Sequence, residues 1–182
     1  SNSNKIFIKK CNFESEKSIK NSIKFALKKI GEPDLVINTC GIFYYDKLEN
    51  FSYEKALKTF KINALSTVIL NKEIYKVRKR KLTKIISIGS SSALDGFKDS
   101  YSYCGSKHAL LGIIKSLNKT ISSKKIINFC INVGSLKNKM GKRVRSKDYK
   151  NFINQDEVIK AANYLIQSKA PGIPQEIYIK RF

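Results

Sequence analysis

Histidine, tryptophan and closely spaced cysteines are scarce in this sequence, and their scarcity excludes several classes of protein. The chain has no tryptophan and a single histidine, His108. Its four cysteines are widely scattered and form no Cys-x-x-Cys pair, at Cys11, Cys40, Cys104 and Cys130. We therefore expect neither a metal site nor a disulfide framework. Free thiols of this kind indicate a reducing compartment.

Long apolar segments and acidic residues are also scarce. No apolar run approaches the roughly 20 residues that a membrane-spanning helix needs, and no signal peptide is recognisable, which predicts a cytoplasmic protein with no membrane segment. Lysine and arginine number 36 against 14 aspartates and glutamates, a formal net charge of +22. Because this excess is mostly lysine and is spread along the chain, it favours diffuse surface charge over a nucleic-acid-binding site. An anion-binding surface is the alternative.

Helical patterns alternate with continuous apolar runs along the chain. Such runs are typical of strands that are covered on both faces of a parallel sheet, so we predict one α/β domain over residues 1–182. The predicted strands are Lys5–Lys10, Leu35–Thr39, Thr83–Gly89, Ile126–Val133 and Glu176–Lys180. The predicted helices are Glu14–Ile30, Ser52–Lys81, Tyr101–Ser122 and Gln155–Ser168, with an irregular segment at Gly134–Asn151 and a turn at Ala170–Pro174.

Three side chains near the middle of the sequence suit proton transfer. Ser90 follows a predicted buried strand, and Tyr103 and Lys107 lie at positions i and i+4 on one face of the next helix. A free tyrosine has a pKa of about 10, and a neighbouring ammonium should lower it toward the range of a general acid/base. A serine hydroxyl beside it can hold a substrate oxygen.

A tyrosine and a lysine at this spacing are weak evidence by themselves. Tyr75 and Lys79 have the same spacing but follow no strand that ends in serine, so we interpret them as a solvated helix face. Asn63, on the preceding long helix, is a candidate fourth member able to hold a water molecule in a proton relay. Tyr103 and Lys107 predict a catalytic site only in combination with Ser90 at the end of a buried strand.

With these residues in place, the sequence resembles the short-chain dehydrogenase/reductase family over nearly its whole length. The family pattern is an Asn-Asn-Ala-Gly segment after a strand, a helical asparagine, a strand-end serine, Tyr-x-x-x-Lys and a Pro-Gly segment. Its counterparts are Asn38-Thr39-Cys40-Gly41, Asn63, Ser90, Tyr103–Lys107 and Val133-Gly134. The resemblance implies a Rossmann-like doubly wound parallel sheet. It also implies hydride transfer between NAD or NADP and a small carbonyl or alcohol substrate.

The same resemblance implies a role for each matching residue. Tyr103 would be the acid/base, Lys107 would lower its pKa, Ser90 would anchor the substrate oxygen and Asn63 would extend the proton relay. The implied cofactor-binding residues are Asn38, Gly41, Tyr103, Lys107, Gly134, Leu136 and Asn138. The two long helices would form the interface of a homodimer or homotetramer.

The sequence also departs from the family pattern. Thr39-Cys40, Val133 and Asn138 replace common family residues, and we expect these changes to weaken cofactor contacts without abolishing them. More seriously, nothing before Lys5 matches the family's first strand-helix-strand unit with its glycine-rich turn. We therefore expect an open apolar edge on the Leu35–Thr39 strand. A segment preceding this sequence is the favoured explanation; a new strand pairing, with cofactor binding in doubt, is the alternative.

The basic segment Lys137–Lys147 occupies the position of the family's substrate lid. A solvated lid is one interpretation; a phosphorylated or carrier-bound substrate is the other, motivated by the cluster of Lys142, Arg143 and Arg145. We expect His108, Cys40 and Cys104 to be structural. The alternative to an enzyme is a catalytically idle member of the fold that binds a partner or an anionic polymer through its basic surface.

Overall fold

In a computed structural model of the chain, four parallel strands form a sheet with helices on both faces. The structure describes residues 5–77, 82–121, 126–169 and 172–181. The strands are β1 (Leu35–Asn38), β2 (Thr83–Ile88), β3 (Ile126–Val133) and β4 (Glu176–Ile179), in that spatial order. All three strand pairs are parallel, as the alternation of helices and strands predicted.

The helices match the predicted ones closely at their starts. They are α1 (Glu16–Ile30), α2 (Tyr53–Phe60), α3 (Ser66–Val77), α4 (Tyr101–Ile121), α5 (Lys139–Val144) and α6 (Gln155–Gln167). Ser52 caps α2 as predicted, because its hydroxyl accepts a hydrogen bond from the Lys55 amide at 3.3 Å. The predicted helix ends at Lys81 and Ser122 and the first half of the predicted turn lie outside the described residues.

Adjacent residues of β2 point to opposite faces of the sheet, and each packs in the hydrophobic core on its own face. Ile85 packs with Ile74 of α3 and Ile121 of α4, whereas Ile86 packs with Phe129 and with Leu165 of α6. All of these side chains are buried, so the sheet is covered on both sides, as a parallel sheet requires. The strand ends are thereby fixed relative to the helices that carry the candidate site.

Lys84 attaches α6 to the sheet. Its Nζ donates hydrogen bonds to the carbonyl oxygens of Leu165, Ile166 and Ser168, at 2.8, 2.8 and 2.7 Å. These carbonyls lie at the C-terminal end of α6, where they lack partners within the helix and where a positive charge is favourable. Lys84 therefore caps the C-terminal end of α6 and holds this helix against the sheet.

The prediction of a strand at Lys5–Lys10 is wrong. That segment forms no regular secondary structure and lies beside α1. Lys9 Nζ is 5.6 Å from the Phe25 ring centroid, and Lys29 Nζ is 5.4 Å from that of Phe7. A strand exists only where a neighbour supplies hydrogen bonds, and no described strand borders this segment. The predicted open edge is confirmed: among the described strands β1 pairs only with β2, and Ile37 is 49% exposed.

Two further predictions need correction. The long helix that begins after Ser52 is interrupted by a π-helical turn at Lys61–Leu65, which apolar periodicity does not reveal. The segment Gly134–Asn151, predicted to be irregular, contains α5 and a 3-10 helix at Ser146–Asn151. Helix α5 begins there because the Asn138 Oδ1 atom accepts a hydrogen bond from the Gly141 amide at 2.7 Å.

Candidate active site

The carboxyl ends of β1, β2 and β3 meet at one edge of the sheet, beside the first turn of α4. A cavity of about 260 Å³ lies at this edge. Its walls include most of the predicted site residues: Gly41, Ser90, Tyr103, Lys107, Gly134, Leu136 and Asn138. Asn38 and Asn63 are not part of its lining; they lie behind it. The cavity is where a ligand is expected in an open α/β sheet.

Tyr103 lies in the first turn of α4, and its ring packs edge-on against Phe43, with centroids 4.9 Å apart. Burial raises the pKa of the Tyr103 phenol, an effect that the neighbouring Ser90 hydroxyl partly offsets. The prediction that the Lys107 ammonium lowers this pKa is wrong: Ser90 is the neighbour that lowers it, and the loss of hydration by the phenolate is the larger effect. The neutral phenol, which is the proton-donating form, is therefore favoured.

Lys107 lies one turn further along α4 and is only 5% exposed. Its Nζ donates a hydrogen bond to the carbonyl oxygen of Ile88 at 3.0 Å and lies 5.8 Å from the Tyr103 ring centroid. Burial lowers the pKa of the ammonium to about 8, because the charged form loses water. No second hydrogen bond joins Nζ to a described residue, so its other protons remain available to a polar ligand.

Ser90 is held at the end of β2 from two sides. Its backbone amide donates to Asn132 Oδ1 at 3.3 Å, and its Oγ accepts a hydrogen bond from the Ser92 amide at 3.1 Å. The second bond occupies a lone pair of Oγ and leaves the hydroxyl proton free to be donated. Ser90 can thus donate a hydrogen bond to a substrate oxygen in the cavity.

Asn63 lies in the π-helical turn and is 1% exposed. Its Oδ1 accepts from the Ile42 amide at 2.8 Å, and its Nδ2 donates to the Ile42 carbonyl and to Ser106 Oγ, both at 3.0 Å. Both amide protons are therefore used to join α4 to the loop after β1. Single π-helical turns are often found at functional sites, and this one aims Asn63 at that loop.

Asn38 and Gly41 shape the wall that follows β1. The Asn38 side chain donates to Thr67 Oγ1 at 3.0 Å and accepts from the Cys40 amide at 3.2 Å, which fixes the chain as it leaves the strand. A Cβ added at Gly41 would lie 3.7 Å from Lys107 Nζ. Gly41 therefore leaves the ammonium accessible from the cavity.

Gly134, Leu136 and Asn138 form the wall that follows β3. The Gly134 amide donates to the carbonyl oxygen of Ile179 at 2.9 Å, and Leu136 forms an isolated parallel bridge with Ile153. Asn138 caps α5 through Oδ1, so its Nδ2 is the group that remains for a ligand. These contacts place α5 over the cavity.

The three basic residues of the predicted lid, Lys142, Arg143 and Arg145, lie in different environments. Arg145 lines the cavity; its guanidinium lies 5.8 Å from the Phe97 ring centroid and pairs with Asp148 at 2.6 Å. Arg143 instead donates to the Phe43 carbonyl oxygen at 3.2 Å, and Lys142 is exposed. No aspartate or glutamate of the described chain lines this cavity. Arg145 is thus the member of the cluster that can contact a bound molecule.

Two residues near the site were missed by the sequence analysis. Asp46 accepts hydrogen bonds from the amide of Ser102, at 2.7 Å, and from its hydroxyl, so it caps α4 from a distant loop. Asn132, on β3, holds the Ser90 amide. Neither residue has a local sequence signal, because its partner is far away in the chain.

The cysteines and the histidine show no reactive arrangement. Cys40 lines the cavity, but burial raises the pKa of its thiol to about 11, which favours the unreactive neutral form. His108 Nδ1 lies 3.0 Å from the carbonyl oxygen of Cys104, within its own helix. Within the described ranges, no cluster of His, Cys, Asp and Glu could hold a metal ion. None of the described helices is long and apolar enough to cross a membrane.

The parallel sheet and the cavity at its strand ends place the molecule among the Rossmann-like α/β folds. The family model for short chain dehydrogenase matches residues 1–149. The chain therefore belongs to the short-chain dehydrogenase family, which is a family of oxidoreductases.

The curated relatives carry reductase and dehydrogenase names. The 3-oxoacyl-(acyl-carrier-protein) reductase FabG of Buchnera aphidicola is 28% identical over 89% of this chain and 70% of its own length. Secoisolariciresinol dehydrogenase of Forsythia intermedia is 26% identical over 88% of this chain and 60% of its own length. The chain thus spans roughly two thirds of these relatives.

Solved structures share the fold at low identity. An alcohol dehydrogenase from Thermococcus sibiricus, complexed with 5-hydroxy-NADP, has a TM-score of 0.81 at 19% identity and covers 93% of this chain and 72% of its own. A 4-hydroxyisoleucine dehydrogenase complexed with NADH has a TM-score of 0.81 at 22% identity, over 92% of this chain and 76% of its own.

Proposed function

We propose that this protein is an NAD- or NADP-dependent oxidoreductase that acts on a carbonyl or alcohol substrate. The observation that carries the proposal is that Ser90, Tyr103 and Lys107 lie around one cavity at the strand ends. Two similar folds hold NADH and an NADP derivative in their structures, which supports a nicotinamide cofactor here. When bound, the cofactor would supply or accept the hydride.

In the proposed reduction, Tyr103 is the general acid. Its phenol donates a proton to the carbonyl oxygen while the carbonyl carbon receives the hydride, so the product is an alcohol. Ser90 donates a hydrogen bond to the same oxygen and stabilises the charge that develops on it. The raised pKa of Tyr103 keeps the proton in place until it is transferred. In the oxidation direction, the phenolate would be the base.

The residues of the cavity fit the nicotinamide end of such a cofactor. Lys107 is buried with one protein hydrogen bond, so its free N–H groups suit the hydroxyls of a ribose. Gly41 leaves space beside that ammonium, and Nδ2 of Asn138 suits an amide oxygen. Gly134 and Leu136 supply the adjoining wall. Asn38 and Asn63 hold the loop after β1 in position; through its second Oδ1 lone pair, Asn63 is also proposed to hold a relay water.

We further propose that the substrate carries a negative charge, as a phosphorylated, carboxylated or carrier-bound carbonyl compound. Arg145 lines the cavity and uses Nη2 for Asp148, which leaves other guanidinium N–H groups for a substrate anion. The relative from Buchnera is named a reductase of acyl-carrier-protein substrates, which supports a carrier-bound form.

The affinity for an oxo acid and its neutral ester tests the substrate class. For the wild type, we expect ligand-detected NMR to give a dissociation constant about tenfold lower for levulinate than for methyl levulinate, since one charged hydrogen bond is worth roughly 1.5–3 kcal/mol. Arg145→Met should remove the difference, whereas Lys142→Met, at an exposed neighbour, should preserve it. Equal affinity of the two ligands for the wild type would contradict the proposed charge.

Cofactor binding tests the proposed function itself. NADH and NADPH are titrated into the full-length protein and followed by the fluorescence of the dihydronicotinamide. We expect saturable binding of at least one of them, weakened by Lys107→Met but not by Lys142→Met. Absence of binding to the full-length protein would reject the oxidoreductase and leave an idle member of the family, for which salt-sensitive binding to an anionic polymer is the next measurement.

The protein is proposed to form a homodimer or homotetramer in the cytoplasm. Apolar side chains remain exposed along the run from α2 to α3, including Leu57, Leu65 and Val68, which are 41, 49 and 37% exposed. Such a patch suits a subunit interface. Light scattering should show an oligomer for the wild type and a smaller species for Leu65→Glu; a monomeric wild type would contradict this.

The proposed location in the cytoplasm rests on the cysteines. The four free thiols support a reducing compartment.

A further inference from the structure

Asn132 is a buried amide in an otherwise apolar part of β3. It is 1% exposed, and its neighbours Ile131 and Val133 belong to the hydrophobic core. Its Nδ2 makes no hydrogen bond of ordinary geometry with a described residue, although the amide partly opposes the rise in the pKa of the Tyr178 phenol on β4. A buried donor without a partner is unfavourable, so an apolar side chain would suit this position better for stability alone.

The oxygen of the same amide, Asn132 Oδ1, accepts two hydrogen bonds. Asn132 Oδ1 accepts hydrogen bonds from the Ser90 backbone amide and from Cys130 Sγ, both at 3.3 Å. The space for this contact exists because residue 89 is glycine. A Cβ at Gly89 would overlap both Asn132 Oδ1 and Cys130 Sγ. The amide oxygen therefore lies directly against the chain as it leaves β2.

Together with the Ser92 amide, this contact fixes Ser90 on both sides. The Ser92 amide holds the Ser90 side-chain oxygen, and Asn132 holds the Ser90 backbone amide. If Asn132 is removed, the Ser90 amide is left buried without an acceptor and the hydroxyl is fixed only by its own turn. Small displacements of a group that contacts substrate are costly for turnover.

We infer that Asn132 is a positioning residue: its Oδ1 holds the Ser90 backbone so that the Ser90 hydroxyl stays directed into the cavity. The kinetic part of this inference rests on the proposed function of Ser90. The structural part does not, because it concerns a single hydrogen bond at the Ser90 amide. The two parts can be tested separately.

Amide hydrogen exchange tests the hydrogen bond without any substrate. In Asn132→Ala, we expect the Ser90 amide to exchange at least tenfold faster than in the wild type. The matched control is Asn128→Ala, which removes a buried amide from the same strand and the same face without contacting Ser90. Unchanged exchange at Ser90 in a folded Asn132→Ala, or equal acceleration in Asn128→Ala, would overturn the inference.

A double-mutant cycle tests the effect on turnover. We expect Asn132→Ala to lower kcat roughly 10- to 100-fold with little change in KM, and to lower it no further when Ser90→Ala is already present. Asn128→Ala should keep the wild-type kcat. Equal losses from Asn132→Ala in both backgrounds would overturn a role through Ser90. If Ser90→Ala alone leaves kcat unchanged, the proposed function of Ser90 fails, and the exchange measurement still decides whether Asn132 positions it.

Discussion

Lys107 Nζ lies 5.8 Å from the centroid of the Tyr103 ring and donates a hydrogen bond to the last residue of β2, at the Ile88 carbonyl oxygen. This bond holds the ammonium between α4 and the sheet. Burial raises the pKa of the phenol and lowers that of the ammonium to about 8. Both shifts arise from lost hydration, so we expect a ligand that changes the hydration of these two groups to shift both pKa values.

The burial of Lys107 predicts a pH-dependent stability. The ammonium has a pKa of about 8 in the folded protein against an ordinary value of 10.5 for lysine, so the unfolded chain binds more protons between these pH values. Stability of the wild type relative to Lys107→Met should therefore rise with pH over this window, by about 3 kcal/mol. Urea unfolding of both proteins from pH 7 to 10.5 measures it. A constant or falling difference would show that the lysine is hydrated.

Replacement of Asn63 should destabilise the loop after β1. In Asn63→Ala, the amide and carbonyl of Ile42 lose their hydrogen bonds to this side chain, and the Ser106 hydroxyl keeps only its bond to the Tyr103 carbonyl oxygen among described residues. This should lower the free energy of unfolding by about 2–4 kcal/mol. Asn71→Ala is the matched control, because that buried asparagine lies on the same helical run and, among the described residues, its side chain donates only to the Thr67 carbonyl oxygen. Denaturant titration compares them. Similar losses for the two variants would contradict a special role of the π-helical turn.

Replacement of Asp46 should loosen the start of α4. In Asp46→Ala, the Ser102 amide and hydroxyl lose their acceptor, so the free energy of unfolding should fall by about 1–2 kcal/mol, as for a lost helix cap. Exchange of the Ser102 amide should become faster. Asp95→Ala, an exposed substitution, should change stability by less than about 0.5 kcal/mol. If the Ser102 amide stays equally protected, the cap is not formed.

The parts of the site that follow from local spacing could be predicted from the sequence. Tyr103 and Lys107 share a helix face because four residues make about one turn, and Ser90 directly follows a buried strand. The parallel order of the strands also follows from the alternation of apolar runs and amphipathic helices. These features need no knowledge of distant contacts.

The remaining features depend on tertiary contacts. The roles of Asn63, Asn132 and Asp46 each depend on a partner at least 21 residues away. Lys5–Lys10 has the apolar pattern of a strand, but a strand forms only beside a neighbouring strand. The pattern of one segment does not show whether such a neighbour exists. The expected lowering of the Tyr103 pKa failed for a similar reason, since spacing gives the distance to a cation and not the degree of burial.

The most direct test of the account is the turnover number of Tyr103→Phe with the nicotinamide cofactor and the substrate preferred by the wild type. The phenylalanine ring keeps the contact with Phe43 and removes only the hydroxyl. We predict a loss in kcat of about 100-fold or more, because general acid catalysis contributes about that much. Cofactor affinity should fall by no more than about tenfold, because the change removes a single neutral hydroxyl. Wild-type turnover in Tyr103→Phe would contradict the central claim that this phenol transfers the proton.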